Sequence, residues 1–224
     1  EVFVSALLVP LNEHESKYLL PLIEQAIKNI GEDKVKMLVI DRGFLSGQIQ
    51  WDIKHKYKID FLIYSKSNMD VTSELKKRVK EEIKRKKEKL AFSKDCFLEK
   101  DSQNTIYGFN YLRWSWTYGD TDHQKELKKK LYKNEVHFKT HPITGALITR
   151  YKKKENKQIS LISSRRFSKR FTPFSALSFY SKRNRIENKG FRELKQGYNI
   201  GKFPGRTFNA VFFHVLFTLI LYNF

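Results

Sequence analysis

The chain has 224 residues, room for one sizeable domain or for one domain with an insertion. Lys and Arg number 44 against 24 Asp and Glu, a net charge of +20 that points to a polyanion, nucleic acid first and an anionic membrane second. Aromatic residues make up 14% of the chain, which excludes disorder throughout, and the single cysteine, Cys96, excludes an intrachain disulfide or a cysteine-based zinc site and fits a reducing, cytoplasmic compartment.

Residues 1–9 carry neither a basic leader nor a small-residue cleavage site, so they do not read as a signal peptide. Val2 to Val9 is β-rich and almost continuously apolar, which predicts a strand buried on both faces, entered as if the sequence were missing its beginning. After Pro10-Leu11-Asn12, apolar residues at Leu19, Leu20, Ile23, Ala26, Ile27 and Ile30 predict a helix over 16–30, closed by Gly31, with Pro21 tolerated near its first turn. Val35 to Asp41 reads as a second strand with an acid at its C-terminal end. Residues 46–56 read as a short helix on Ile49 and Ile53, and Ile59 to Tyr64 as a third strand. Strand, helix, strand, helix, strand argues for an α/β sheet with helices packed on it.

From Ser73 to Leu90 the chain is very basic, with Leu75, Val79 and Ile83 forming a narrow apolar stripe on a helix. That helix is either a solvated face or a phosphate-facing arm. From Phe92 to Ser164 the pattern is β-like, with candidate strands at Asn104 to Phe109, Leu147 to Tyr151 and Gln158 to Ser163. His137 and His141 are four apart, but Pro142 follows and no Glu stands between them, so they read as ordinary loop or strand residues. Thr207 to Phe224 is strongly apolar. Its length is at the lower limit for a membrane span, and Asn209, His214, Thr218 and Asn223 interrupt it, so a buried terminal helix explains it more simply than an anchor.

The most informative segment is Tyr180 to Lys195. Tyr180, Arg183 and Glu187 are spaced three and four apart and share one helix face. A carboxylate beside a guanidinium and a phenol suits phosphate chemistry, the acid holding a metal ion and the other two the phosphate. An amphipathic helix with one ion pair has the same spacing. Asp41 ends a core strand, where sites form in open α/β sheets, although an Asp close to a Gly is also a common turn residue. A strand-end acid and a helix acid can converge on two divalent cations, and hard oxygen ligands favour magnesium or manganese.

These residues carry a family resemblance. Val39-Ile40-Asp41-Arg42-Gly43-Phe44, followed by a helix and Ile59 to Ile63, resembles the second-acid region of the DDE transposases of insertion sequences. Glu13-His14-Glu15-Ser16 resembles the His-Asp-Ser step upstream of it. Tyr180-x2-Arg183-x3-Glu187 and the wording Ile186-Glu187-Asn188 with Phe191-Arg192-Glu193-Leu194-Lys195 resemble that family's Tyr-Arg-Glu-Lys motif. The resemblance covers nearly the whole chain. It implies a ribonuclease-H-like fold in three stretches: core over 1–65 with its first strand missing, a basic β-rich insertion over 66–170, and core again over 171–224. It also implies magnesium- or manganese-dependent cutting and joining of double-stranded DNA at element ends and target. Asp41 and Glu187 are then the metal-binding acids, and Tyr180, Arg183 and Lys195 the phosphate contacts. A homodimer on paired ends and a nucleoid location are expected, and no membrane.

Two departures from the pattern stand out. Leu194 occupies the family's Lys position and Lys195 lies one residue later, which works only if the helix bulges or the long side chain compensates. The family's first acid lies on the first core strand, and no Asp precedes Asp33 here. The chain therefore reads as a C-terminal portion of a transposase, expected to bind DNA and to cut it poorly. Glu13 and Glu15 are the nearest substitutes. A non-catalytic basic DNA-binding remnant and a membrane-anchored basic protein are the alternative readings.

Overall fold

The computed structural model describes residues 3–10, 12–116, 139–151 and 156–223, with side chains placed for all of these except 113–116, 139–141, 184, 185 and 187. The described residues divide into two compact units, 1–35 with 179–224 and 36–178, and the boundary falls inside one helix.

The larger unit is built on a mixed sheet. Its strands are β1 (Met37–Val39), β2 (Asp60–Ser65), β3 (Cys96–Lys100), β4 (Asn104–Trp116), β5 (Lys139–Arg150) and β6 (Lys157–Ser163). They lie in the order β1-β2-β6-β5-β4-β3. β1 and β2 are parallel, joined by a crossover through the helix Gly47–His55; every other neighbouring pair is antiparallel. The long basic helix, Asp70–Lys87, turns Val71, Leu75 and Val79 inward, and Leu75 reaches the backbone of Gly145 in β5. Ile83, placed on the same stripe by the sequence pattern, is 40% exposed, and the buried residue at this end of the helix is Glu82. A buried hydroxyl cluster ties three elements together. Ser65 on β2 meets Thr72 on the helix at 2.8 Å and Ser160 on β6 at 2.6 Å. Such satisfied polar contacts fix register where apolar packing alone would allow slippage.

The smaller unit holds α1 (Leu19–Ile30), preceded by a 3₁₀ turn at Glu15–Tyr18 and capped by Gly31 at φ 95°. Numbering on in chain order, the helices of the larger unit are α2 (Gly47–His55) and α3 (Asp70–Lys87), and α4 (Pro173–Arg185) crosses the unit boundary. A π-helical turn, Ile186–Phe191, follows α4, then α5 (Arg192–Gln196) and α6 (Phe208–Asn223).

Two sequence expectations fail here. The strand over Val2 to Val9 does not form: the described residues 3–10 are extended but join no ladder. Their polar groups are met by side chains instead. The Asn223 amide brackets Phe3, accepting from its N–H and donating to its carbonyl at 2.8 Å each, and Asn29 donates to the Val4 carbonyl at 2.7 Å. The apolar terminal segment does form a helix, but α6 is not buried. Only Thr218 and Leu219 are fully buried, Val211 and Val215 are half-buried, and Phe208, Phe213, Phe217 and Leu221 are 54–68% exposed. Apolar residues all round a helix cannot all face one neighbour. At 16 residues α6 is about 24 Å long, short of a roughly 30 Å hydrocarbon core, and no described helix is long and apolar enough to cross a membrane.

Candidate active site

Asp41 is positioned by β1. The Ile40 amide still pairs with the Leu62 carbonyl at 3.0 Å, so the parallel ladder runs up to the residue before the acid. The chain then breaks into a 3₁₀ turn, Arg42–Phe44, which Asp41 caps by accepting from the Gly43 amide at 3.3 Å. The side chain is exposed at the carboxyl end of a parallel strand. The turn-residue and site-residue readings are therefore both satisfied locally, since a capping carboxylate retains lone pairs for a further partner.

Tyr180 and Arg183 lie on α4. The Tyr180 ring is 3% exposed, and the Arg183 guanidinium stands 5.5 Å from its centroid. The phenol therefore backs the guanidinium, and the arginine is the more accessible of the two. The side chain of Glu187 lies outside the described residues; its backbone is the second residue of the π-helical turn.

That turn bears on the Lys position. A π turn closes its hydrogen bonds at i→i+5 and so carries one residue more than an α turn before returning to the same face. The spacing between Glu187 and Lys195 is eight residues (195 − 187), and across the π turn it behaves as seven residues do in an unbroken α-helix. Leu194, which occupies the family's Lys position by count, is 2% exposed, whereas Lys195 is exposed on α5. Single π turns inside helices are frequent at functional sites. The Tyr222 hydroxyl holds the next residue back along α5, donating to Glu193 at 3.0 Å.

Glu13 and Glu15 are exposed in the smaller unit. Glu13 is engaged locally, accepting from the Tyr18 hydroxyl at 2.8 Å with Lys17 at 3.6 Å, and that hydrogen bond raises the Tyr18 pKa. His14 Nδ1 and Ser16 Oγ pair at 2.7 Å. His141 lies in β5, and His137 falls outside the described residues. Among the described residues no group of three or more His, Cys, Asp or Glu side chains is placed to hold a metal ion. The donor chemistry of Asp41, an exposed carboxylate with hard oxygens, nevertheless fits magnesium or manganese. The sequence reading passed over the turn after β6. Its doubled pattern, Arg165-Arg166-Phe167 and Lys169-Arg170-Phe171, was the available signal.

The family model for the transposase DDE domain matches residues 1–224, the whole chain. The mixed α/β sheet with its helices is consistent with the ribonuclease-H-like fold of that family. No curated protein matches the chain.

Proposed function

The chain belongs to the DDE transposase family, and we propose that its site is of the Tyr-Arg-Glu-Lys type, with Asp41 and Glu187 as metal-holding acids and Tyr180, Arg183 and Lys195 as the phosphate-holding group. The family acts on DNA as nuclease and transferase and generally depends on a divalent metal. The observation that supports the finer reading is the π-helical turn Ile186–Phe191, whose extra residue makes the spacing from Glu187 to Lys195 equivalent to the family's shorter one.

Magnesium or manganese, when bound, supplies charge neutralisation at the scissile phosphate and activates the attacking water or 3′-hydroxyl. The chain's own residues do the rest. The planar fork of Arg183 holds phosphate oxygens by paired hydrogen bonds, and the buried Tyr180 ring keeps that fork in one orientation. Lys195 adds a point charge about two turns beyond Glu187. Asp41, fixed by its turn, offers its carboxylate without a rotamer search. Element ends and target duplex are the partners, handled by a homodimer in the nucleoid.

A two-metal site needs several oxygen ligands, so Asp41 and Glu187 require at least one further acid, and the phosphate-holding group by itself predicts firm duplex binding. Binding and manganese-dependent nicking, measured side by side, test this. Arg183→Ala and Lys195→Ala should each weaken binding about tenfold, as loss of a charge-assisted hydrogen bond does. Asp41→Asn keeps an acceptor for Gly43 and should keep fold and binding while losing residual nicking. Wild-type binding by Arg183→Ala and Lys195→Ala together would overturn the phosphate roles. Robust nicking abolished by Glu187→Ala would keep the metal role and show that a further acid, Glu13 or Glu15 first, completes the site.

A further inference from the structure

We infer that the bulge in β4 and the turn after β6 form a second phosphate-binding platform, one that grips the backbone of duplex DNA without reading its sequence. The inference rests on the reading that this chain acts on DNA.

The platform begins with an irregularity. The β4–β5 register shifts between Phe109 and Leu112, and Tyr111 within that bulge has φ 62°. An aromatic residue in left-handed backbone is strained, and such strain persists only where the surroundings enforce it. The bulge sends its two residues in opposite directions. The Asn110 side chain turns inward, accepting from the Phe167 amide at 2.8 Å and donating to the Phe167 carbonyl at 3.2 Å, and Thr144 donates to it at 3.0 Å. Tyr111 turns outward, 43% exposed, and the Arg166 guanidinium lies 4.6 Å from its ring centroid.

The turn itself is pinned and charged. Phe167 and Phe171 are buried and stacked at 5.9 Å, and Ser168 and Phe171 exchange backbone hydrogen bonds. Between and before these anchors, Arg165, Arg166, Lys169 and Arg170 are all exposed, and among the described residues none of the four meets a carboxylate. Arg165 lies over the Phe171 ring at 5.1 Å. A guanidinium stacked on a ring keeps its N–H edges for a planar acceptor, and phosphate diesters match that fork. Four cations on this turn differ from an ordinary solvated run in that two of them, Arg165 and Arg166, already lie over aromatic rings, which leaves less side-chain freedom to lose on binding. Among the described residues the lysine stripe of α3, Lys77, Lys80, Lys84 and Lys87, has no such ring support, and Lys84 pairs with Glu88 at 3.8 Å.

The test uses a labelled duplex of random sequence, titrated at several salt concentrations with the full chain. Arg165→Ala with Arg166→Ala should weaken binding at least tenfold and reduce the slope of log affinity against log salt by about 2, since each lost phosphate contact removes about 0.9. Tyr111→Gly removes the ring and relieves the left-handed strain, so it should weaken binding with no loss of thermal stability; Tyr111→Phe should bind as the wild type does. Lys80→Ala with Lys84→Ala removes the same charge from α3 and should have the smaller effect. An equal effect from the α3 pair, or unchanged affinity in the arginine pair or in Tyr111→Gly, overturns the platform. If those variants bind normally while Arg183→Ala does not, the platform alone fails; if the wild type binds no duplex, the reading of the active site fails with it.

Discussion

Glu82 is 4% exposed on the inner side of α3, and its carboxylate takes the Ser93 amide at 3.3 and 3.2 Å, one distance to each oxygen. Burial and then the negative charge of Glu82 push the Cys96 thiol from its ordinary value of 9.0 up to about 12. A raised thiol pKa means that the folded state holds its proton longer than the unfolded one. The associated stability is complete below the ordinary thiol value and is lost as pH climbs through about 12. Alkylation of Cys96 in the native protein should therefore keep accelerating beyond pH 9, and Glu82→Gln should shift the rate profile to lower pH. A native-state plateau near the ordinary thiol value would contradict this. At the same scale, the sequence could show that Asp41 ends a strand. It could not show that a Gly43 amide occupies part of its carboxylate, because that depends on a 3₁₀ turn whose geometry has no pattern of its own.

Gly108 shows how closely β4 and the start of α4 approach. A Cβ there would stand 2.5 Å from Pro173 Cγ and 2.8 Å from Phe167 Cε2. Gly108→Ala must move the first turn of α4 or the anchor of the basic turn. It should lower stability by about 1–3 kcal/mol, read as a drop in the urea midpoint at constant slope. An unchanged midpoint would mean that this layer is loosely packed. Elements with a period in their apolar residues were legible in advance: α1 from Leu19, Ile23 and Ile27, α3 from Leu75 and Val79, and β2 from its continuous apolar run. What failed was decided by partners. Residues 3–10 have strand composition but no strand beside them, and their polar groups are satisfied by Asn29 and Asn223. α6 has the apolar content of a buried helix but only two fully buried residues. The sequence predicted one face from Tyr180 to Glu187, and the π turn that begins at Ile186 was legible only as a Lys one residue late.

The two units differ in the kind of core they own. In the larger unit Leu75 on α3 and Phe61, Leu62, Ile63, Ile106, Leu112, Ile148 and Ile162 on the sheet are all completely buried, and the strands β2, β6, β5 and β4 that carry the latter are paired along both edges. In the smaller unit the fully buried apolar residues among those described are few, Ile23, Tyr180, Leu194 and Leu219, and α6 leaves Phe208, Phe213, Phe217 and Leu221 more than half exposed. Burial of apolar area is the main favourable term in folding, about 25 cal/mol per Å². A unit that covers little of it opens at lower free energy than one that covers much. Hydrogen exchange followed by fragment should therefore find the amides of α1 and α6 less protected than those of β2, β5 and β6. With added denaturant the helical amides should merge with bulk exchange first, and the strands should follow as a second cooperative group. Equal protection across all five elements would show that the chain unfolds as one body and that the exposed phenylalanines of α6 are held more firmly than their surface suggests.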